Sequence, residues 1–372
     1  MARSANLRAA FDAAGPMTVG LEEELMLLDA ETLDLLPRAA DVLERLDGDA
    51  RFKPELPAAQ LEIVLPPAAT VGEATAALAT ARAELAAAAS GIGVLAGAGA
   101  HPFAATEGAL SSGERYEAIA REYGSIARRQ LVFGLHVHVA VRPADRALAV
   151  YNALRGYLPL IAALAANAPY HDGGDTGLAS VRPTISTLLP RQGVPPPIGS
   201  WEELEDALRW RRIEPAQWWW EARLHPEFGT LEVRVPDTQT TVAETGAIAG
   251  FVHALIGWLA DREPLPAAPS WRIAENRWSA CRHGLDGTMA ELVTGEVAPT
   301  RERIGALLAE LEPVAERLGC AAELARVDVT ANGAVRQREA AAAAAPPDGA
   351  APGAAAAPAH AVTAWLAGRF LG

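Results

Sequence analysis

Cysteine is scarce in this chain, and the scarcity excludes a good deal. Only Cys281 and Cys320 occur among 372 residues. Two thiols so far apart form no CxxC pair, no zinc-ligand spacing and no disulfide framework. Neither sits in a recognisable nucleophile motif. A Walker A sequence is missing, and the glycines at 91, 93, 97 and 99 do not make a dinucleotide fingerprint. Any nucleotide must therefore bind without a P-loop. Positive charge is in deficit, with 32 Lys and Arg against 46 Asp and Glu, a net −14. That balance argues against a nucleic-acid or membrane-surface partner. An anionic small substrate stays open, because metal ions and a few arginines can reverse the sign locally. The opening MARSANLRAAFDAAG has no apolar run of the secretory kind. The apolar stretches near 158–166 and 247–260 are too short or too broken to cross a bilayer. The expectation is a cytoplasmic protein in which those stretches are buried helices.

What is present is a pattern used four times. Val19-Gly20-Leu21-Glu22-Glu23-Glu24-Leu25, Gln60-Leu61-Glu62-Ile63-Val64-Leu65, Val132 to Val139 with its His136-Val137-His138 centre, and Thr230-Leu231-Glu232-Val233-Arg234-Val235 each alternate aliphatic and polar residues. A strand sends alternate side chains to opposite faces. Glu22 and Glu24 then share a face, as do His136 and His138, and Glu232 and Arg234. If the four pair in one sheet, one side is aliphatic and packs on helices. The other gathers carboxylates, imidazoles and a guanidinium, which suits Mg²⁺ and a polyphosphate. Clean two-sided alternation predicts a largely antiparallel sheet, in a single α+β domain of helices and strands.

Each segment also has a plainer reading. LEEEL can open an amphipathic helix, and Glu23 counts against the strand because it falls on the aliphatic face. Glu62 can be a buried salt-bridge partner. Glu232 and Arg234 can be an in-strand ion pair. The HxH pair suggests zinc at first, but a glutamate-rich set with one histidine better suits Mg²⁺ or Mn²⁺. Arg182 can be a surface arginine, and Trp218-Trp219-Trp220 reads as core rather than pocket wall.

Helix signals lie between the strands. Thr70 opens a helix to about Ser90, Asp145 begins another, Ser200 caps one to about Arg211, Thr241 one to about Ala260, and Thr300 one to about Gly319. A strand is expected at 92–98. The Gly-, Pro- and Asp-rich stretch 169–200 is long enough to be a lid or binding loop. Residues 339–358, nearly all Ala, Pro and Gly, read as a disordered segment between the single main domain at 1–338 and a terminal helix at 359–372.

In series these pieces resemble the glutamate–cysteine ligase type 2 family, the bacterial carboxylate–amine ligases. The resemblance covers about Thr18 to Cys320 through TVGLEEE, the pair Glu55 and Glu62, GAGAHPF, GERY, FGLHVHV, ASVRPT and HPEFGTLEVRVPDT. It implies the fold of the glutamine synthetase and guanidino-kinase superfamily, with a curved antiparallel sheet forming an active-site funnel and helices outside. It implies ATP as co-substrate, Mg²⁺ or Mn²⁺, a glutamate-like carboxylate and a cysteine-like amine, and a homodimer. Glu22, Glu24, Glu55, Glu62, His136 and Glu232 fall where relatives place metal ligands. Arg234 falls where an arginine meets the transferring phosphate, and Arg182 in a motif that touches substrate. His138, Arg115, Tyr116 and Asp237, in those motifs, and Arg223, just ahead of the last, are expected to bind substrate or nucleotide. Glu55 stands where aspartate is commoner. A phosphotransferase on a guanidino or carboxyl group, and a non-catalytic ATP- or metal-binding regulator, are the rival readings.

Overall fold

A computed structural model describes residues 4–13, 15, 17–263, 265, 267–344 and 358–372. Its centre is a seven-stranded sheet. The strands are β1 (Val19–Leu28), β2 (Phe52–Pro54), β3 (Gln60–Val64), β4 (Val94–Ala96) and β5 (Leu135–Ala140). A separate two-stranded hairpin, β6 (Tyr170–His171) and β7 (Gly174–Asp175), precedes the last two, β8 (Ala222–His225) and β9 (Thr230–Val233). The order across the sheet is β2-β3-β1-β5-β9-β8, with β4 also on β1. Every one of these pairings is antiparallel, as the alternation predicts. LEEEL is strand and not helix.

Alternation divides the two faces as a period of two demands. Val19, Leu21, Leu25, Leu61, Ile63, Leu135, Val137, Val139, Leu231 and Val233 are buried in the main core. Helices cover that face. The Val242–Ala260 helix packs against the helices Val71–Ala89, Ala144–Leu154 and Thr300–Leu318. It is apolar nearly all round because it is buried nearly all round, and so are the residues of the other long apolar run. The start signals work through side-chain caps. Thr70, Ser200 and Thr241 accept from the backbone N–H of Glu73, Glu203 and Glu244, and Glu244 answers back to the Thr241 N–H at 2.9 Å. Thr300 is instead the first residue of its helix, with Pro299 at the cap.

Glu23, the residue that seemed to spoil the strand, resolves there. It is fully buried on the helix side and meets Arg82 in a two-pronged ion pair, both N–O distances 2.7 Å. Arg82 also donates to the carbonyls of Gln239, Thr240 and Phe370.

The C-terminal region departs from expectation. The Gly333–Ala344 helix runs through the first residues of the segment expected to be disordered, and Ala341 is buried. Alanine favours helix wherever a neighbour gives it something to pack on. The neighbour is the Pro358–Gly368 helix. Val362 and Leu366 of that helix cover Met26 and Leu28, at the far end of the face that carries Glu22 and Glu24. Residues 359–372 are thus part of the same body. The rest of the expected disordered segment, 345–357, lies outside the described residues.

The stretch 169–200 is anchored near its C-terminal end. Asn152, Arg155 and Tyr151 donate to the carbonyls of Ile198, Pro195 and Pro196, and Arg182–Ser186 forms a short helix.

Candidate active site

Register brings the acid face together. Across β1 and β5, Glu22 lies opposite His136. Across β1 and β3, Glu24 lies opposite Glu62. Across β5 and β9, His138 lies opposite Glu232, which in turn lies opposite Arg223 of β8. Residues directly opposed in this way project to the same side, so five strands contribute to one polar surface.

Its hydrogen bonds are specific. His136 Nδ1 is 3.0 Å from Glu22 Oε2, and His138 Nδ1 is 3.0 Å from Thr230 Oγ1. His138 Nε2 is 3.4 Å from Glu22 Oε1. Arg223 and Arg234 each donate to one oxygen of Glu232, whose side chain is fully buried. The Nε2 atom of His136 is buried and has no hydrogen-bond partner, and that of His138, also buried, has only the approach to Glu22. Buried polar atoms left unpaired are uncommon and ask for a reason.

Among the described residues, two groups have the donor set of a cation site: Glu22, Glu62 and His136, and Glu22, His138 and Glu232, with ligand atoms within 4.8 Å of one another in each. Glu22 is common to both. Oxygen and imidazole donors, with the His136 Nε2 left without a partner, fit a hard divalent ion such as Mg²⁺ or Mn²⁺.

The titration of these groups follows their surroundings. Burial pushes Glu62 well above the usual carboxylate range, and Glu55, Glu22 and Glu24 add to it. Burial likewise pushes Glu24 up to about 7, against the pull of Arg182 and Arg234. Burial would also raise Glu22 and Glu232, but there other forces win. The imidazoles hold Glu22 well below its ordinary value, and Arg223 and Arg234 do the same for Glu232. Burial, with Arg234 beside it, pulls His136 down to about 4, so its ring is neutral at physiological pH and able to ligate. One end of the face thus favours the ionised carboxylate and the other the protonated one.

Glu24 and Glu55 stand outside both groups and line an adjoining polar cavity of about 130 Å³. Gln60, Arg182, Trp219, Glu221, Arg234 and Arg277 share its wall. Gly134 makes this meeting possible. A Cβ there would strike the Arg182 guanidinium and crowd Glu24, and the Gly134 N–H donates to Glu24. Arg182 is not a surface residue. It donates to the carbonyls of Val235 and Arg234 at 3.2 Å, and its Nε is buried without a partner.

The other expected residues take different stations. Asp237 is buried and accepts from the Asn167 N–H at 2.7 Å, 3.9 Å from Arg182. The Tyr116 hydroxyl is spent on the Pro54 carbonyl, and Arg115 is exposed, 3.6 Å from Glu55. Of the tryptophan run, Trp218 is core and the half-buried Trp220 packs against it. Trp219 walls the cavity, where Arg191 lies over its ring. Sequence reasoning missed Glu221, Gln60, Arg277 and His225. Glu221, Arg223 and His225 do alternate, and that was a legible signal. Arg277 had none. It reaches the site from the middle of the Ser270–His283 helix, where it pairs with Glu221 at 2.8 Å.

The sequence profile of Glutamate-cysteine ligase family 2 matches residues 18–357. A putative glutamate–cysteine ligase 2-3 of Rubrobacter xylanophilus is 39% identical over 341 residues, 88% of this chain and 93% of the relative. A putative glutamate–cysteine ligase 2 of Thermobifida fusca is 36% identical over 331 residues, covering 84% and 83%. Among solved structures, a Francisella tularensis glutamate–cysteine ligase in complex with AMP superposes with a TM-score of 0.69 at 14% identity, covering 96% of this chain and 89% of the other. A bifunctional glutathione synthetase of Pasteurella multocida gives 0.63 at 15%, covering 99% and 53%. At those identities the likeness is one of fold.

Proposed function

The chain belongs to glutamate–cysteine ligase family 2, and from that premise we propose that it joins a carboxylate to an amine with ATP. The carboxylate is the γ-carboxyl of glutamate and the amine that of cysteine. The terminal phosphoryl group passes to the carboxylate, and the amine then displaces phosphate from the acyl phosphate. The products are the amide, ADP and phosphate. The observation that carries the reading is the juxtaposition of two cation-binding groups with a cavity walled by three arginines.

Glu22, Glu62, His136, His138 and Glu232 would hold Mg²⁺, which when bound screens the phosphate charge. The chain's own residues do the rest. Glu232 fixes the Arg234 guanidinium at the edge of the face. Two backbone carbonyls hold Arg182 beside it. Planar forks held this firmly match the oxygens of a phosphoryl group or carboxylate in transfer. Glu221 has a buried carboxylate oxygen with no hydrogen-bond partner, and Gln60 a buried amide oxygen likewise. Both line the cavity and are acceptors suited to the ammonium of an amino-acid substrate. A homodimer in the cytoplasm belongs to the same proposal.

The test is ADP release measured against pairs of amino acids, with the carboxylate labelled with ¹⁸O. The acyl-phosphate route delivers one labelled oxygen into phosphate. Pyrophosphate, or label in AMP, would overturn it. ADP formed at full rate without any amine would favour the phosphotransferase.

A further inference from the structure

Positive charge in this chain is almost wholly guanidinium. Among its 32 lysines and arginines there is one lysine, Lys53. That single ammonium stands at the acid face. Lys53 is the middle residue of the edge strand β2, directly opposite Glu62 in the antiparallel register. Its neighbour Phe52 lies opposite Ile63, and both are buried in the main core. Lys53 therefore projects to the other side, with Glu62. It is exposed, at the rim rather than in the interior. Among the described residues it forms no close ion pair, although Glu62 feels its charge together with those of Glu55, Glu22 and Glu24. Glu55 takes Arg115 instead, at 3.6 Å.

The choice of lysine has a physical reason. A guanidinium is a planar fork that fits a carboxylate bidentately. Arginines in this chain do seize carboxylates: Arg82 takes both oxygens of Glu23, and Arg223 and Arg234 take one each of Glu232. An arginine at position 53 would be captured by Glu62 or Glu55 and would occupy a ligand. An ammonium is a point charge on a flexible stem, with three donors free to turn toward whatever anion arrives. It can stay beside a cation-binding carboxylate without closing it.

We propose that Lys53 is a phosphate-binding residue, whose ammonium takes an oxygen of the terminal phosphates of ATP at the Glu55–Glu62 end of the face. This rests on the reading of ATP as substrate given above. Neither the cation groups nor the arginine-walled cavity includes it, so it supplies charge on a side of the nucleotide that they leave bare.

Calorimetry with the full chain tests both steps separately. Wild type is titrated with ATP·Mg²⁺ and with AMP, which lacks the terminal phosphates. Lys53→Gln is expected to weaken ATP·Mg²⁺ by about tenfold or more, the worth of one charged hydrogen bond, and to leave AMP unchanged. Lys53→Arg is expected to do no better than Lys53→Gln. As the chain has one ε-amine, pyridoxal phosphate and borohydride supply a second readout. ATP·Mg²⁺ should protect Lys53 from labelling and leave the α-amine unprotected. Unchanged ATP affinity in Lys53→Gln would overturn the proposal and leave the ligase reading intact. Lys53 would then be an edge-strand residue that merely discourages sheet pairing. Equal losses for ATP and AMP, full rescue by arginine, or labelling of Lys53 unaffected by ATP would overturn it too. A wild type that binds no ATP would bring down both.

Discussion

Replacing Arg82 with methionine should nearly unfold this protein, although Arg82 touches no substrate. Its guanidinium makes two 2.7 Å bonds to Glu23 and one each, at 2.9 Å, to the carbonyls of Gln239, Thr240 and Phe370. Methionine keeps much of the volume and removes every donor. Glu23, with no solvent exposure, is left with the Thr245 hydroxyl at 2.8 Å. Breaking a buried ion pair by removing one partner costs about 3–5 kcal/mol. Three carbonyls that lose a donor add about 1 kcal/mol or more each at the low end. The total, about 6 kcal/mol or more, is of the order of the whole stability of a domain. Urea unfolding followed by tryptophan fluorescence measures it. The double variant Arg82→Met/Glu23→Leu removes the stranded carboxylate and should recover at least about 2 kcal/mol, since apolar replacement of a buried pair is often tolerated. A single-variant loss below about 1 kcal/mol, or a double variant no better than the single, would refute the argument. The strand that carries Glu22 and Glu24 would then be held in place by something else.

Glu62→Gln should leave stability within about 1 kcal/mol of wild type, because glutamine imitates the protonated acid that burial favours. It should abolish turnover and any thermal stabilisation by Mg²⁺; activity at half-saturating Mg²⁺ would make Glu62 purely structural. Arg234→Lys keeps the charge and loses the fork, and kcat should fall about 100-fold or more; a loss of only a few-fold would mark Arg234 as an in-strand ion-pair residue. His101 gives a pH prediction away from the site. Burial pulls its pKa down to about 4, and its neutral ring joins the Leu33 carbonyl to the Ala104 N–H. A depressed pKa supports the fold above the unfolded value near 6.5, and that support is lost as pH falls toward 4. The stability gap between wild type and His101→Asn should therefore narrow by about 3 kcal/mol from pH 7 to pH 4. A gap independent of pH would place the proton elsewhere.

The strands of the site were legible because a sheet writes its faces into the sequence with a period of two. Glu22 with Glu24, His136 with His138, and Glu232 with Arg234 needed no structure to be placed on common faces. The threonine and serine caps were legible for a similar reason, since a cap and its partner lie three residues apart. What the sequence could not supply was register, meaning which residue stands opposite which. Register makes Glu22 common to two cation groups, and the packing around Gly134 and Arg182 leaves Glu24 at the cavity with Glu55. Nor could it supply partners from distant elements. Glu23 looked like an error in the strand until Arg82, 59 residues away, was found against it. Arg277 looked like any polar residue on a helix until it met Glu221. The alanine-rich end looked unable to fold until a second helix gave it a surface. Local pattern fixed which side of the sheet each side chain takes. Only long-range packing, where burial makes an unpaired charge or carbonyl too costly to leave, decided what each one faces.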